Sequence, residues 1–95
     1  MKSPNISVLM SAYNCDQYIN YSIDSILDQS FRNFEFIIID DGSTDNTLSI
    51  IEKYKNIDNR IILIKNRKNI GLSASLNKGV EIVKGKYSRR FVVGR

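Results

Sequence analysis

A chain of 95 residues, 42% hydrophobic and 25% charged, has the make-up of one small globular domain, which excludes a disordered chain and leaves too little material for two cores. Its one cysteine, Cys15, excludes an internal disulfide, and with no histidine to activate the thiol a small, half-buried apolar role is expected for it. The net charge of +4 is uneven: residues 1–52 carry two basic and eight acidic side chains, for −6, and residues 53–95 carry twelve basic and two acidic, for +10.

Along the chain, ISVLMSA (Ile6–Ala12) is β-prone and bounded by Pro4 and Asn14, which predicts a buried strand. Ile19, Ile23, Ile26 and Leu27 then recur at helical spacing, with Asn20, Asp24, Ser25 and Asp28 left for water. FEFIIID (Phe34–Asp40) is short, rich in β-branched residues and apolar on both faces, as a central parallel strand requires. A second helix is predicted over Thr47–Tyr54 through Leu48, Ile51 and Tyr54, with Ser43 or Thr44 capping its first turn. RIILIK (Arg60–Lys65) reads as the third strand. Leu72, Leu76, Gly79, Val80 and Val83 mark a third helix that Gly85 would terminate, and a fourth strand is expected after it.

Strand and helix alternate throughout. The pattern predicts right-handed crossovers and an α/β fold in a single domain over residues 1–95: a Rossmann-like parallel sheet of three to four strands with alternating helices. Ligands of such sheets gather beyond the carboxyl ends of the strands, at the point where strand order reverses. Here those ends read SAYNCD, DDGSTDNT and KNRKNIG, so the unusual polar clusters share one edge.

Two phosphate-binding designs are missing from that edge. SAYNCDQ has no glycine with which to bring backbone against a pyrophosphate, and no G-x-x-x-x-G-K-[ST] loop occurs, which disfavours NAD and P-loop chemistry. The paired acids Asp40 and Asp41 have two readings. A carboxylate is an acceptor-only group, so one acid can hold the loop while the other accepts from ribose hydroxyls or a base imide N–H. Alternatively both terminate the strand and solvate the turn, with Asp45 complementing the following helix. Tyr13 leaves the first strand on the same edge, where a ring can stack on a base. Gly71 and Asn77 read as a turn glycine and an amide about two helical turns beyond it.

The segments ISVLMSAYNCDQYINYSIDSILDQSFRNFEFIIIDDGSTDNT and NIGLSASLNKGVEIVKGKY resemble the amino-terminal half of the family 2 glycosyltransferases, whose members share the GT-A fold. The likeness runs from about Pro4 to about Tyr87. It implies a nucleotide-sugar donor, usually UDP-linked, and transfer of the sugar to an acceptor hydroxyl on a saccharide or a lipid-linked molecule. By position it implies that Ala12 and Tyr13 line the uridine pocket, that Asp41 contacts the uracil with Asp40 in support, and that Asn69, Gly71 and Asn77 close over the nucleotide.

Members of this family continue after GKY into an acidic motif that holds Mg²⁺ or Mn²⁺ against the diphosphate. This chain reads GKYSRRFVVGR, with no carboxylate after Glu81. The divalent cation is therefore expected in a full-length enzyme, without its acidic ligands here, and no catalytic base is assigned. Arg89, Arg90 and Arg95 could meet phosphate as guanidinium forks, but without a metal and a base they do not make a catalyst. The expectation is a nucleotide-binding portion that is catalytically incomplete alone, the alternative being a UDP-binding or interaction module. Removing part of a GT-A domain would bare sheet edge and apolar helix faces, through which a homodimer could form. The first residues lack a signal-peptide core and no stretch reaches the ~20 apolar residues of a membrane span, so a cytoplasmic chain, at most peripheral to the membrane, is expected. Tyr87 and Phe91 among basic residues raise nucleic-acid binding, against which stand the acidic first half and the lack of any nucleic-acid motif.

Overall fold

The computed structural model describes residues 4, 6–29, 33–84 and 87–93, the last stretch by its backbone. Gly85 and Arg95, and the side chains of Tyr87, Arg89, Arg90 and Phe91, lie outside the described residues.

A seven-residue run with no polar face is stable only between two strands and beneath helices on both sides. Phe34–Asp40 meets that condition: it forms β2, buried at every position. Its parallel neighbours are β1 (Ile6–Ala12) and β3 (Ile61–Lys65), and β4 (Tyr87–Val93) adds in parallel to the far side of β1, giving the order β3-β2-β1-β4. The chain thus steps outward from β1 to β3 and then returns across β1. The reversal lies between β1 and β4, and the carboxyl ends of those two strands flank it.

The reversal also assigns the helices to faces. α1 (Ile19–Leu27) and α2 (Thr47–Ile57) cover one face, where Ile19, Ile23 and Ile51 pack on Val8, Phe36 and Ile38. α3 (Leu72–Val80) covers the other, with Leu76 on Leu9, Ile37 and Ile39. Gly79 lets α3 approach the sheet closely: a Cβ there would stand 2.8 Å from Leu9 Cδ2. On the first face, Tyr54 clasps the two helices by donating its hydroxyl to Asp24 Oδ1 at 2.7 Å. Burial, and then the adjacent carboxylate, push that phenol up to about 12.

Three boundaries differ from expectation. α2 runs on to Ile57, because the first residue to leave helical geometry is Asp58, in an extended conformation. Neither Ser43 nor Thr44 caps α2, since both are engaged by Asn14; Asp45 Oδ1 instead accepts the Thr47 N–H at 2.9 Å. α3 stops at Val80, short of Gly85. The cause is the buried carboxylate of Glu35, which accepts the Lys84 N–H at 2.6 Å and the Ser7 hydroxyl, drawing the chain out of helix and toward the start of β4.

Candidate functional site

The carboxyl edge is built from three loops that hold one another. Ala12, fully buried, is the last residue of β1, and Tyr13 follows it half-buried at the mouth of the edge. Asn14 then adopts a left-handed φ of 47°, a conformation its short amide tolerates better than most side chains. The turn aims it at the loop after β2: its N–H donates to Ser43 Oγ at 3.0 Å, and its Oδ1 accepts the Thr44 N–H at 2.8 Å. Cys15 N–H donates to Thr47 Oγ1 at 2.8 Å, Asp16 N–H to Asp45 Oδ2 at 3.2 Å, and Asn46 N–H to Asp16 Oδ2 at 3.3 Å. Cys15 is buried outright, not half-buried, and burial pushes its thiol up, away from nucleophilic use.

Adjacent residues at a strand end point to opposite faces. That geometry separates the two acids. Asp40 faces the α1–α2 side, 2% exposed, where Oδ2 accepts a long 3.4 Å bond from Ser43 N–H and Oδ1 has no partner among the described residues. Burial, ahead of the neighbouring Asp45 and Asp41 charges, raises its carboxyl above the ordinary range despite the bonds from Ser43.

Asp41 faces the α3 side and is fully enclosed. Oδ1 accepts from Asn66 Nδ2 at 3.0 Å and from Ile70 N–H at 2.8 Å; Oδ2 accepts from Gly71 N–H at 3.1 Å. An Asp41 open to a cleft is therefore not what this structure displays, because the loop after β3 folds its backbone donors over the carboxylate. Each acid serves one loop, on its own face of the sheet. Between them, Gly42 has φ +73° and lies directly against Lys68–Asn69, where a Cβ would come within 2.5 Å of the Lys68 carbonyl carbon.

Of the remaining sequence candidates, Asn69 and Gly71 sit on this loop, joined by a 3.1 Å bond from Gly71 N–H to Asn69 Oδ1, with Gly71 at φ +95°. Asn77 is not brought to them. It is exposed on α3, six residues past Gly71 and so roughly 9 Å down a helix axis that leads away from the edge. Sequence reasoning misses Asn14, Asn66 and Ser75. Asn66 and Ser75 are both buried, and Asn66 Nδ2 donates to Ser75 Oγ at 3.0 Å while its Oδ1 accepts from Lys78 Nζ at 2.8 Å. The available signal was position: Asn66 follows an apolar strand directly, as Asp41 does.

This arrangement has known counterparts. The model of the family described as "Glycosyl transferase family 2" matches residues 7–91. The chain belongs to glycosyl transferase family 2. Among relatives of this family 2 chain, an uncharacterized glycosyltransferase of Haemophilus influenzae is 48% identical over 87 residues, 92% of this chain and 27% of the relative. An Escherichia coli relative, UDP-Glc:alpha-D-GlcNAc-diphosphoundecaprenol beta-1,3-glucosyltransferase WfaP, is 44% identical over 86% of this chain and 32% of its own length. Among solved structures, S. aureus TarS 1–349 in complex with UDP superposes with a TM-score of 0.85 at 29% identity, covering 94% of this chain and 27% of that 1–349 chain. The chain thus spans about a quarter to a third of these proteins.

Two further properties bear on what the family 2 chain can do. Among the described residues no three acidic, histidine or cysteine side chains are grouped to hold a metal ion, and Asp16, Asp41 and Asp45 already accept from backbone N–H groups. The described residues thus present no carboxylate group arranged for a divalent cation. Among the same residues no helix is long and apolar enough to cross a membrane.

Proposed function

We propose that this chain supplies the nucleotide-binding edge of a transferase that takes a nucleotide-diphosphate sugar, UDP-linked, and passes the sugar to an acceptor hydroxyl. The observation that carries the reading is the family match over residues 7–91 together with three interlocked loops at one sheet edge. The UDP in TarS and the UDP-Glc in WfaP's name support uridine, and the diphosphoundecaprenol in WfaP's name supports a lipid-linked acceptor.

In this reading the uridine lies over the ends of β1 and β2, between the Tyr13 ring and the turn at Asn69–Gly71, with the backbone of Ala12 beneath it. Asp40 and Asp41 act first as builders of the pocket, each holding the loop on its own face. Contact between Asp41 and the uracil N3–H requires that imide to take the place of a loop amide. Asn77 takes part only if the nucleotide extends along α3. The chain on its own binds donor without turning it over.

The test is a calorimetric titration of the 95-residue chain with UDP, followed by a transfer assay with UDP-sugar, acceptor and Mn²⁺. Binding without turnover is expected. Asp41→Asn should weaken UDP at least about tenfold, since an amide offers one acceptor oxygen where three donors converge, and a displaced donor costs about 1–3 kcal/mol. No binding of UDP at millimolar concentration would end the nucleotide reading, and turnover would end the reading of an incomplete catalyst.

A further inference from the structure

Asn66 sits where the ends of two strands meet the third helix. It lies 6% exposed directly after β3, donates Nδ2–H to Asp41 Oδ1 of the β2 end and to Ser75 Oγ of α3, and accepts at Oδ1 from Lys78 Nζ. Its orientation is over-determined. An ammonium can only donate and a carboxylate can only accept, so a side chain between them must present an acceptor to Lys78 and a donor to Asp41. The amide supplies two N–H donors, to Asp41 and Ser75, and one acceptor oxygen, to Lys78, without carrying charge, where a hydroxyl has a single O–H to give.

We propose that Asn66 is a positioning residue of the nucleotide site: fixed in sense by Lys78, it holds the Asp41 carboxylate in the orientation from which Asp41 grips the Ile70–Gly71 turn. The inference rests on the nucleotide reading above and deepens it. Asp41 Oδ1 is shared by Asn66 Nδ2 and Ile70 N–H while Oδ2 accepts from Gly71 N–H, so rotation of the carboxylate away from Asn66 loosens the Ile70–Gly71 turn as well. Exposed Arg67 and Lys68 then move with the turn. The charged groups facing this cluster are Lys78 from α3, Asp41 itself, and Asp40 through the sheet.

Asn66→Asp discriminates positioning from packing, because it keeps the shape and reverses the donor. At neutral pH it sets two carboxylates side by side, and UDP affinity should fall about tenfold relative to wild type. On acidification the pair gains one proton, the new O–H donates to Asp41 as the amide did, and the ratio of variant to wild-type affinity should recover toward one by about pH 5. Using the ratio cancels titration of the diphosphate. Lys78→Met, at an exposed position, provides a second variant that leaves the core alone; it should weaken UDP and uridine by the same factor, about threefold, since it acts through Asn66.

Equal affinity of Asn66→Asp and wild type at pH 7.5, or a loss that acid does not restore, would overturn the proposal. So would a Lys78→Met loss confined to UDP, which would make Lys78 a direct phosphate contact. Failure of the wild-type chain to bind either UDP or uridine overturns the nucleotide reading itself, an outcome visible before any variant is made.

Discussion

Asp40 is the residue that works against its own fold. A carboxylate 2% exposed, with one oxygen unpartnered among the described residues and the other on a 3.4 Å bond, is desolvated by more than the bonds from Ser43 offset, and its carboxyl rises above the usual 3.8. A folded-state value above the unfolded one favours folding below about 3.8, and that contribution is lost as pH rises through the raised value. Asp58 has the opposite sign. The bond from the Arg60 guanidinium leads the causes that lower it, so its contribution is present above 3.8 and lost as pH falls. Asp40→Asn keeps an acceptor for Ser43 and removes the buried charge. It should be more stable than wild type to urea at pH 7 and equal to it near pH 3.5; parallel pH profiles for the two proteins would dismiss this account.

At the scale of elements, the edge holds because loops contact loops. Gly42 is where the loop after β2 passes under the loop after β3, and both its φ of +73° and the 2.5 Å approach to Lys68 forbid a side chain. Gly42→Ala should cost about 3 kcal/mol, combining left-handed strain with displacement of the neighbouring backbone, and should lower the urea midpoint without changing far-UV helix content. A loss under about 1 kcal/mol would mean that the two loops are not in register as found. Much of this level was legible beforehand. β2 announced itself as a central strand by having no polar face, and strand alternation alone assigns Asp40 and Asp41 to different sides. What the sequence could not display is partnership across it: Asn14 meets Thr44 thirty residues away, and Asp41 meets Ile70 twenty-nine away, only because the parallel register sets Ala12 beside Asp40 and Asp40 beside Lys65. Nothing local to DDG says which of its acids a later loop will claim.

At the scale of the molecule, the division into an acidic first half and a basic second half becomes a gradient across one edge. Asp16 and Asp45 lie in the loops after β1 and β2, Asp45 accepting from the Asp16 N–H and Asp16 from the Asn46 N–H, while Lys65, Arg67 and Lys68 stand exposed at and after the end of β3. A nucleotide laid over this edge finds neutral and acidic surroundings for a base on one side and, at Arg67 and Lys68, exposed cationic surface for a diphosphate on the other. Exposed charges act over a screening length of about 10 Å at 0.1 M salt and about 3 Å at 1 M, so attraction of this kind weakens with ionic strength, whereas stacking on Tyr13 does not. UDP affinity is therefore expected to fall several-fold between 0.05 and 0.5 M NaCl, with uridine changing less than about twofold. Arg67→Ser combined with Lys68→Ser should abolish the difference between the two ligands. If salt weakens both equally, the basic loop is serving the fold's solubility and not the phosphates, and the diphosphate must be met from another side of the edge.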